Sequence, residues 1–323
     1  MGNDLNPGSF NRPELAGKLA SLASNGVFIG TSSWKYPGWR GMIYDEQRYV
    51  YRGKFAMTRF ERDCLKEYAE VFKTVCVDVG YYRFPETRYI EGLVSQVPSD
   101  FQFTFKVTDE ITLKKFTNLP RFGLRAGQAN ENFLNADMFA RAFIEPFIPF
   151  QSNIGMFIFE FSKFYKTDYE HGRDFVSDLD KFLGAIPKGW QYGVEIRNKF
   201  FLQPDYFECL SRHGVAHVFN SWADMPPVIE QIGTPGIFTN AEVTGARFLL
   251  KPGRKYQEAV DLFSPYEKIK EVYPEARMAA ADLITRVLVR NAIRKIFLYV
   301  NNRLEGNALL TIMAMLEQLE AKS

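Results

Sequence analysis

The sequence predicts an α/β fold, a single closed (β/α)8 barrel of the TIM type with parallel strands. Eight short runs of β-branched and aromatic residues recur along the 323 residues, and most of them end in a polar or charged residue. Helix-compatible stretches separate the runs, and a last helix follows the eighth. The runs are Val27–Ser33, Thr74–Tyr82, Phe101–Val107, Ile154–Phe161, Tyr192–Arg197, Ala216–Ser221, Arg247–Pro252 and Lys295–Asn302.

The segments between the runs give the order of the other elements. Residues 1–26 are polar and predict an N-terminal extension, and residues 27–323 predict one barrel domain. Long loops, Thr108–Leu134 and Trp222–Gly245, follow the third and sixth strands at the carboxyl-terminal face of the barrel. The predicted helices are Pro13–Ala23, Arg59–Phe72, Glu86–Val97, Ala136–Phe147, Phe175–Ile186, Pro204–His213, Pro265–Val272, Pro274–Arg290 and a last one from about Asn307 to Leu319.

Composition excludes several classes of protein. Hydrophobic residues make up 46% of the chain, and 40 Lys and Arg against 38 Asp and Glu leave a formal charge of +2. A dedicated nucleic-acid module would carry a stronger basic excess. Three widely spaced cysteines do not suggest a disulfide framework, and no apolar run approaches the ~20 residues that span a bilayer. We therefore expect a cytoplasmic protein without a membrane partner, and the oligomeric state stays open.

Side-chain alternation along the strands predicts which polar residues enter the barrel. In the fifth strand Val194 and Ile196 share one face, so Glu195 and Arg197 point inward near the open mouth. The same reasoning turns inward a set of charged and polar residues from the other strands: Asp78, Lys106, Glu160 and Lys251, with Ser32 or Ser33, Asn220, and Asn301 or Asn302.

Charges that converge in a barrel mouth are costly unless they are paired or functional. One interpretation is a structural ion-pair network. The other is a catalytic constellation, because reacting groups in this fold lie at the carboxyl ends of the strands. In that case Glu195 is the candidate general acid or base, while Arg197 and Lys106 hold and polarise the substrate. Asp78 and Glu160 then determine how many protons the site holds.

The loops after the seventh and eighth strands suggest an anion site. Lys251 and Arg254 supply charge within a Pro-Gly turn, and Asn301 and Asn302 precede the last helix, so these loops could hold a phosphate group. An ordinary basic turn and an Asn helix cap explain the same residues. Trp34 could stack on a ligand or simply plug the mouth. Four basic residues between Lys114 and Arg125 leave open whether that loop contacts a ligand.

No cofactor follows from the sequence. We find neither a P-loop nor a dinucleotide glycine fingerprint. His171, His213 and His217 do not share a metal-binding spacing, so no metal is assigned, and a metal held by carboxylates alone stays open without being favoured. Cys76 reads as a small buried residue, because no base for a nucleophile can be identified.

Several motifs resemble the YecE-like family (domain of unknown function 72). They are Ile29-Gly-Thr-Ser-Ser-Trp-Lys-Tyr-Pro-Gly-Trp-Arg-Gly41, Tyr81-Tyr82-Arg83, the segment Val97 to Lys106, Val194-Glu195-Ile-Arg197 and Tyr299-Val-Asn-Asn302. The resemblance implies a TIM-type barrel and no established reaction. It adds Tyr82 and Arg83 as candidate substrate-binding residues. Cys76, Asp78, Leu113 and Glu160 depart from the family pattern, which puts a transferred catalytic scheme in doubt.

These observations predict an enzyme acting on a small anionic substrate, such as a phosphorylated sugar, by acid-base chemistry. One alternative is a barrel that binds or processes nucleic acid, which would need basic loops and aromatic residues on one rim. Another alternative is a non-catalytic ligand-binding barrel. That alternative predicts mouth carboxylates saturated by Arg and Lys, with no cavity left for a substrate.

Overall fold

Eight parallel strands alternate with helices around a nearly closed barrel in the computed structural model, which describes residues 10–289 and 293–321. Each strand from β2 to β7 pairs with the next along the chain, and β8 pairs with β1. The strands are β1 Val27–Thr31, β2 Thr74–Val77, β3 Gln102–Lys106, β4 Ile154–Phe161, β5 Tyr192–Ile196, β6 Ala216–Ser221, β7 Thr244–Phe248 and β8 Ile296–Val300.

A tyrosine hydroxyl bridges the seam between β1 and β2. The Tyr68 hydroxyl accepts a hydrogen bond from the Thr31 N–H at 3.0 Å and donates one to the Thr74 carbonyl at 3.0 Å. The two strands approach so closely that a Cβ on Gly30 would lie 2.3 Å from the Thr74 carbonyl oxygen. Glycine at position 30 therefore permits the close approach at which the cylinder nearly closes.

Helices cover the outer surface of the barrel. Their apolar faces pack on the strand residues that point outward; Phe60 and Tyr68, for example, are buried residues of the helix Met57–Ala69. The α-helices are Arg12–Ser24, Met57–Ala69, Val79–Tyr82, Thr87–Val94, Asp109–Thr112, Ala136–Met138, Gly172–Ala185, Pro204–Arg212, Val228–Ile232, Tyr256–Phe263, Pro274–Leu288 and Ala308–Glu320. Shorter elements are a π-helix at Phe139–Ile144, 3-10 helices at Pro37–Trp39, Pro120–Arg125, Glu145–Asn153 and Lys199–Phe201, and a hairpin of Val50–Tyr51 with Lys54–Phe55.

The helix before β1 packs on the barrel domain. Leu15 and Leu19 are buried, and Lys18 forms an ion pair at 2.8 Å with Glu320 of the last helix. The Asn11 side chain caps this helix by accepting a hydrogen bond from the Glu14 N–H, which satisfies a donor that the helix itself leaves free.

The inward and outward faces of the strands follow the predicted alternation. Val194 and Ile196 belong to the core under the helices, together with Phe103 and Phe105 of β3. A second apolar cluster fills the barrel interior from the amino end to the middle. It contains Cys76, Met156, Ile158, Ala216, Val218, Val243, Phe297 and Tyr299.

Two predicted strands have the wrong bounds. The second strand ends at Val77, and the chain then turns into the short helix Val79–Tyr82. The seventh was predicted at Arg247–Pro252, but β7 is Thr244–Phe248. Gly245 reads as a loop residue in the sequence, yet it is needed inside the barrel, where an added Cβ would lie 3.1 Å from the Val218 side chain.

Two predicted helices also differ from the structure. In the seventh crossover the helix is Tyr256–Phe263 rather than Pro265–Val272, and Tyr266 has a φ of 71°, which no right-handed helix accepts. The segment predicted as one helix, Ala136–Phe147, begins as an α-helix, widens into a π-helix and continues as a 3-10 helix. Pro146 and Pro149 lie in this 3-10 helix, Glu145–Asn153, where they remove backbone donors.

Candidate functional site at the carboxyl end of the barrel

Six charged side chains from five strands or strand ends meet at the carboxyl end of the barrel. We call them the charge network. Three are carboxylates and three are cations, so their formal charges cancel. The network consists of Asp78 after β2, Lys106 at the end of β3, Glu160 in β4, Glu195 and Arg197 in and after β5, and Arg247 in β7.

Glu160 lies at the centre of the charge network. Its Oε2 atom is 2.8 Å from the Lys106 Nζ and 2.8 Å from a terminal nitrogen of each of Arg197 and Arg247. Burial by itself would raise the pKa of Glu160, but the charges of the three cations more than offset it, so the pKa lies below its usual value. Glu160 is therefore a stable carboxylate, poorly suited to carry a proton.

Glu195 forms the bottom of the charge network. Its side chain is 0% exposed, and its two oxygens contact different arginines: Oε1 lies 3.0 Å from the Arg197 Nε, and Oε2 accepts a hydrogen bond from Arg247. Backbone register sets this arrangement, because Glu160 and Glu195 are direct partners across β4 and β5. Glu195 thus orients the two guanidinium groups from beneath.

Asp78 is the carboxylate of the network that reaches solvent. Its side chain is 37% exposed, and its Oδ1 atom lies 3.7 Å from the Lys106 Nζ and 3.6 Å from Arg247, beyond hydrogen-bonding distance. That atom is buried and has no hydrogen-bond partner. Asp78 is therefore the least enclosed carboxylate of the network, and its unpaired Oδ1 atom lies on the buried side, toward Lys106 and Arg247.

Lys106 remains charged in this setting. Burial lowers its pKa, but Glu160 and Asp78 raise it by more, so the pKa lies above its usual value. The Nζ atom also lies 3.9 Å from the centroid of the Tyr81 ring. Similarly, the Arg197 guanidinium stacks 3.7 Å from the Trp222 ring. Aromatic faces hold these cations in place without neutralising them.

A cavity of about 510 Å³ opens above the charge network, and we call it the mouth pocket. Aromatic side chains form its walls, among them Trp34, Tyr36, Tyr81 and Trp222. The charged residues lining it comprise six cations and two carboxylates. They are Lys35, Lys106, Arg121, Arg197, Arg247 and Arg303, and Asp78 and Glu160.

Most of the predicted site residues reach the mouth pocket. Trp34, Tyr82 and Asn301 line it, as do four of the five predicted catalytic residues, and the fifth, Glu195, lies directly beneath. The basic loop after β3 also contributes, since Arg121 lines the mouth pocket and forms an ion pair with Asp109.

Other predicted residues lie elsewhere. Lys251 and Arg254 form ion pairs with Glu271 at 3.0 and 2.6 Å, so the prediction that Lys251 ends the seventh strand and enters the barrel is wrong. Arg83 is exposed and lies 6.0 Å from the Tyr89 ring, outside the residues that line the mouth pocket.

Two predicted asparagines have structural hydrogen bonds. The Asn302 Oδ1 accepts from the Ala308 N–H at 2.7 Å, at the start of the last helix, and the Asn220 Nδ2 donates to the Ile196 carbonyl at 3.1 Å. Both residues are buried and neither lines the mouth pocket. Asn302 therefore fixes the loop after β8 beside the site.

Arg247 and Arg303 are the important residues that sequence reasoning missed. Arg247 was assigned to the start of a strand, where it would lie far from the mouth. A signal existed, because Arg247 is a single charged residue within the apolar segment Ala246 to Leu250, and such a residue on a strand needs buried partners. Arg303 gave no periodic signal, since it lies in a loop.

The charge network does not favour a metal at the mouth. Glu160 and Glu195 already contact two or three cationic side chains each, and a metal cation would be repelled by Lys106, Arg197 and Arg247. Cys76 lies below them, and burial raises the pKa of its thiol to about 12, so it is not a thiolate nucleophile.

An eight-stranded α/β barrel with a charged pocket at the carboxyl ends of its strands defines the general class of this protein. Residues 28–323 match the family described as "Protein of unknown function DUF72", and the chain belongs to that family. This confirms the resemblance found in the sequence motifs. No curated protein matches the chain significantly.

Solved structures agree on the fold. A DUF72 family protein from Enterococcus faecalis is 17% identical, with a TM-score of 0.62, and the match covers 91% of this chain and 95% of that one. A DUF72 family protein from Thermotoga maritima is 20% identical, with a TM-score of 0.59, covering 91% of this chain and 99% of that one. At these identities the likeness concerns the fold alone.

Among the described residues, no helix has the length and apolar character needed to cross a membrane.

Proposed function

We propose that the mouth pocket binds a small anionic molecule and that the protein is an enzyme that transfers a proton on that molecule. One observation carries the proposal: the mouth pocket is lined by six cations against two carboxylates. A phosphate or carboxylate group would find several donors converging on it. The volume of the cavity, about 510 Å³, also lies within the range of small-ligand sites. A cavity of this size is large enough for a phosphorylated sugar.

The positive charge at the rim exceeds what the protein itself neutralises. The three cations of the charge network are balanced by its three carboxylates, and Arg121 is paired with Asp109. Lys35 and Arg303 line the mouth pocket and form no ion pair with any described residue. The Arg303 Nε is buried without a hydrogen-bond partner, while its guanidinium stacks 4.6 Å from the Tyr256 ring. Arg303 is thus held in place with donor capacity to spare.

The same geometry supports Asp78 as the group that gives or takes the proton. Its side chain is 37% exposed and lines the mouth pocket, and its buried Oδ1 atom has no hydrogen-bond partner. Glu195, the candidate from the sequence, is enclosed beneath two arginines and acts instead as a positioning residue. Lys106 and Arg197 would stabilise negative charge that develops on the substrate.

Binding and turnover can be tested separately. We would titrate the protein calorimetrically with inorganic phosphate and with small sugar phosphates, and follow each mixture by ³¹P NMR for conversion. We expect Asp78→Asn to keep affinity for whichever compound binds while losing turnover. Asp224→Asn, which removes an exposed carboxylate paired with Lys163, is the matched control and should behave as wild type. Binding without turnover in the wild type would support the non-catalytic alternative, and the absence of binding would remove the whole proposal.

The saturated carboxylates by themselves agree with the non-catalytic alternative, but that alternative also requires that no cavity remain. The open mouth pocket argues against it.

We place the activity in the cytoplasm, which the free and buried Cys64, Cys76 and Cys209 support.

A nucleic-acid ligand is the second candidate. Exposed aromatic side chains with stacked arginines stand on the rim, where Arg121 lies 5.0 Å from the Tyr82 ring and Arg303 lies beside Tyr256. Such pairs can stack on unpaired bases. Binding of a labelled single-stranded oligonucleotide that weakens steeply with salt would favour this candidate over a small molecule.

A further inference from the structure

A cluster of three possible metal ligands lies on the outer side of the barrel, in the two neighbouring helices Gly172–Ala185 and Pro204–Arg212. Asp180 belongs to the first of these helices. Cys209 and His213 lie four positions apart at the end of the second, so they share one face of it. One ligand atom from each of the three residues lies within 4.8 Å of the others. We propose that Asp180, Cys209 and His213 form a zinc-binding site that joins the two helices.

The separations between the ligand atoms suit a tetrahedral zinc ion. Zinc bonds of about 2.3 Å to sulfur and about 2.0–2.2 Å to nitrogen and oxygen require edges of about 3.6 Å from S to O and about 3.4 Å from N to O. The Cys209 Sγ lies 3.8 Å from the Asp180 Oδ1, and the His213 Nε2 lies 2.9 Å from the same oxygen. The third edge, from the Cys209 Sγ to the His213 ring nitrogen, is within 4.8 Å, so adjustment of the side chains would bring the three atoms to three corners of the tetrahedron. Water would take the fourth.

The donor set selects the class of metal. A thiolate, an imidazole and a single carboxylate suit Zn²⁺ and related transition metals, whereas Mg²⁺ and Ca²⁺ prefer oxygen ligands throughout. Cys209 is buried, while Asp180 and His213 have side chains that are 36% and 15% exposed, so a metal ion can enter from solvent. Binding replaces the thiol proton of Cys209 by the metal and releases one proton to solvent.

The interactions seen around Asp180 are compatible with binding. The Asp180 Oδ1 accepts a hydrogen bond from Arg212 at 2.8 Å and lies 2.9 Å from the His213 Nε2. The Arg212 side chain is 63% exposed and can move to the second Asp180 oxygen or to solvent at little cost. The Asp180 carboxylate is therefore already turned toward the other two ligands.

This site is independent of the proposed function. His213 follows the carboxyl end of its helix, which by the alternation of the barrel lies at the end opposite the mouth. The role that fits this position is structural, a link between the helices that follow β4 and β5.

Cobalt(II) is a spectroscopic probe for such a site. Titration of the full chain with Co²⁺ should give the near-ultraviolet thiolate-to-cobalt absorption and the visible bands of four-coordinate cobalt, with saturation at one equivalent. Zn²⁺ should displace the cobalt and raise the melting temperature, since a metal that binds only the folded state stabilises it.

Variants assign the signal to these ligands. We expect Cys209→Ser to abolish the thiolate absorption, and Asp180→Asn and His213→Gln to weaken Co²⁺ binding by roughly a hundredfold or more. Cys64→Ser removes another buried cysteine and should leave the spectrum unchanged. The proposal is overturned if the wild type shows no thiolate absorption, or if that absorption survives Cys209→Ser. Either result leaves the proposed function at the mouth unaffected.

Discussion

The barrel interior differs sharply between its mouth and the layer directly below. In the lower layer the inward side chains are apolar or small, including Cys76, Ile158 and Val218. One inward position further along the same strands stand Asp78, Glu160 and Asn220. The strands and their alternation are shared, so the fold itself does not require charge at the mouth.

This difference indicates which part of the interior stabilises the protein. Apolar residues in the lower layer contribute through burial, at about 25 cal/mol for each Å² removed from water. Buried ion pairs add little net stability, because desolvation offsets most of their attraction, although removal of one partner is costly. A charge network that contributes little to stability and faces an open cavity fits a role in ligand binding.

Removal of one network cation should have the largest effect. Arg247→Met leaves Glu195 and Glu160 without their shared partner, so we expect the free energy of unfolding to fall by about 3–5 kcal/mol. Urea denaturation measures this change. The charge-balanced pair Glu195→Met with Arg247→Met should recover most of the loss. If the double variant is as unstable as the single one, the charge network itself stabilises the protein, which would contradict the assignment of stability to the apolar layer.

A truncation in the lower layer should lower the free energy of unfolding by about as much or slightly less, for a different reason. Ile158→Ala removes apolar contacts and leaves a cavity, which predicts a loss of about 2–5 kcal/mol in urea denaturation. Unlike Arg247→Met, it should leave anion affinity unchanged, because Ile158 does not line the mouth pocket. A parallel loss of affinity would show that the two layers are not separable.

The pH dependence of stability offers a smaller effect. The pKa of Glu160 is lower in the folded protein than its ordinary value of 4.5, so its contribution is fully present above that value. The contribution is lost as the pH falls below 4.5 toward the lower folded value. We expect wild type to lose more stability than Glu160→Gln between about pH 6 and pH 3, measured by thermal unfolding. Equal slopes would contradict the lowered pKa.

The smallest effect is expected at Arg83. The resemblance assigned it to substrate binding, but it lies outside the mouth pocket. Arg83→Gln should change the free energy of unfolding by no more than about 0.5 kcal/mol and leave the calorimetric affinity for phosphate at the wild-type value. A clear loss of affinity would mean that the loop after β2 reaches the bound ligand.

Much of the architecture could be predicted because strand alternation and strand order are local properties of the sequence. Alternation placed Lys106, Glu160, Glu195 and Arg197 at the mouth, because β3, β4 and β5 are regular up to their carboxyl ends. Their pairing could not be predicted, since it depends on the register between strands that are distant in sequence.

The failures occurred where the chain leaves the strand geometry. The second predicted strand ends at Val77 and the chain turns into a short helix, so alternation does not extend to Tyr82. Arg83, which the family resemblance assigned to substrate binding, lies outside the mouth pocket. Because Gly245 was taken for a loop residue, the start of β7 was missed and the strand was predicted too far toward Lys251. Arg247 was therefore placed at the beginning of the strand and not at the mouth. Arg303 lies in a loop whose course is set by the Asn302 side chain, a contact that no periodic pattern can reveal.

Calorimetric titration with inorganic phosphate tests the central claim most directly, through two arginine variants of equal charge. Arg303→Gln removes a cation from the mouth pocket, and Arg294→Gln removes an exposed one paired with Glu242 before β8. The account predicts saturable binding to wild type and to Arg294→Gln, and an affinity weaker by about tenfold or more in Arg303→Gln. Equal affinities in the two variants, or no saturable binding to the wild type, would contradict it.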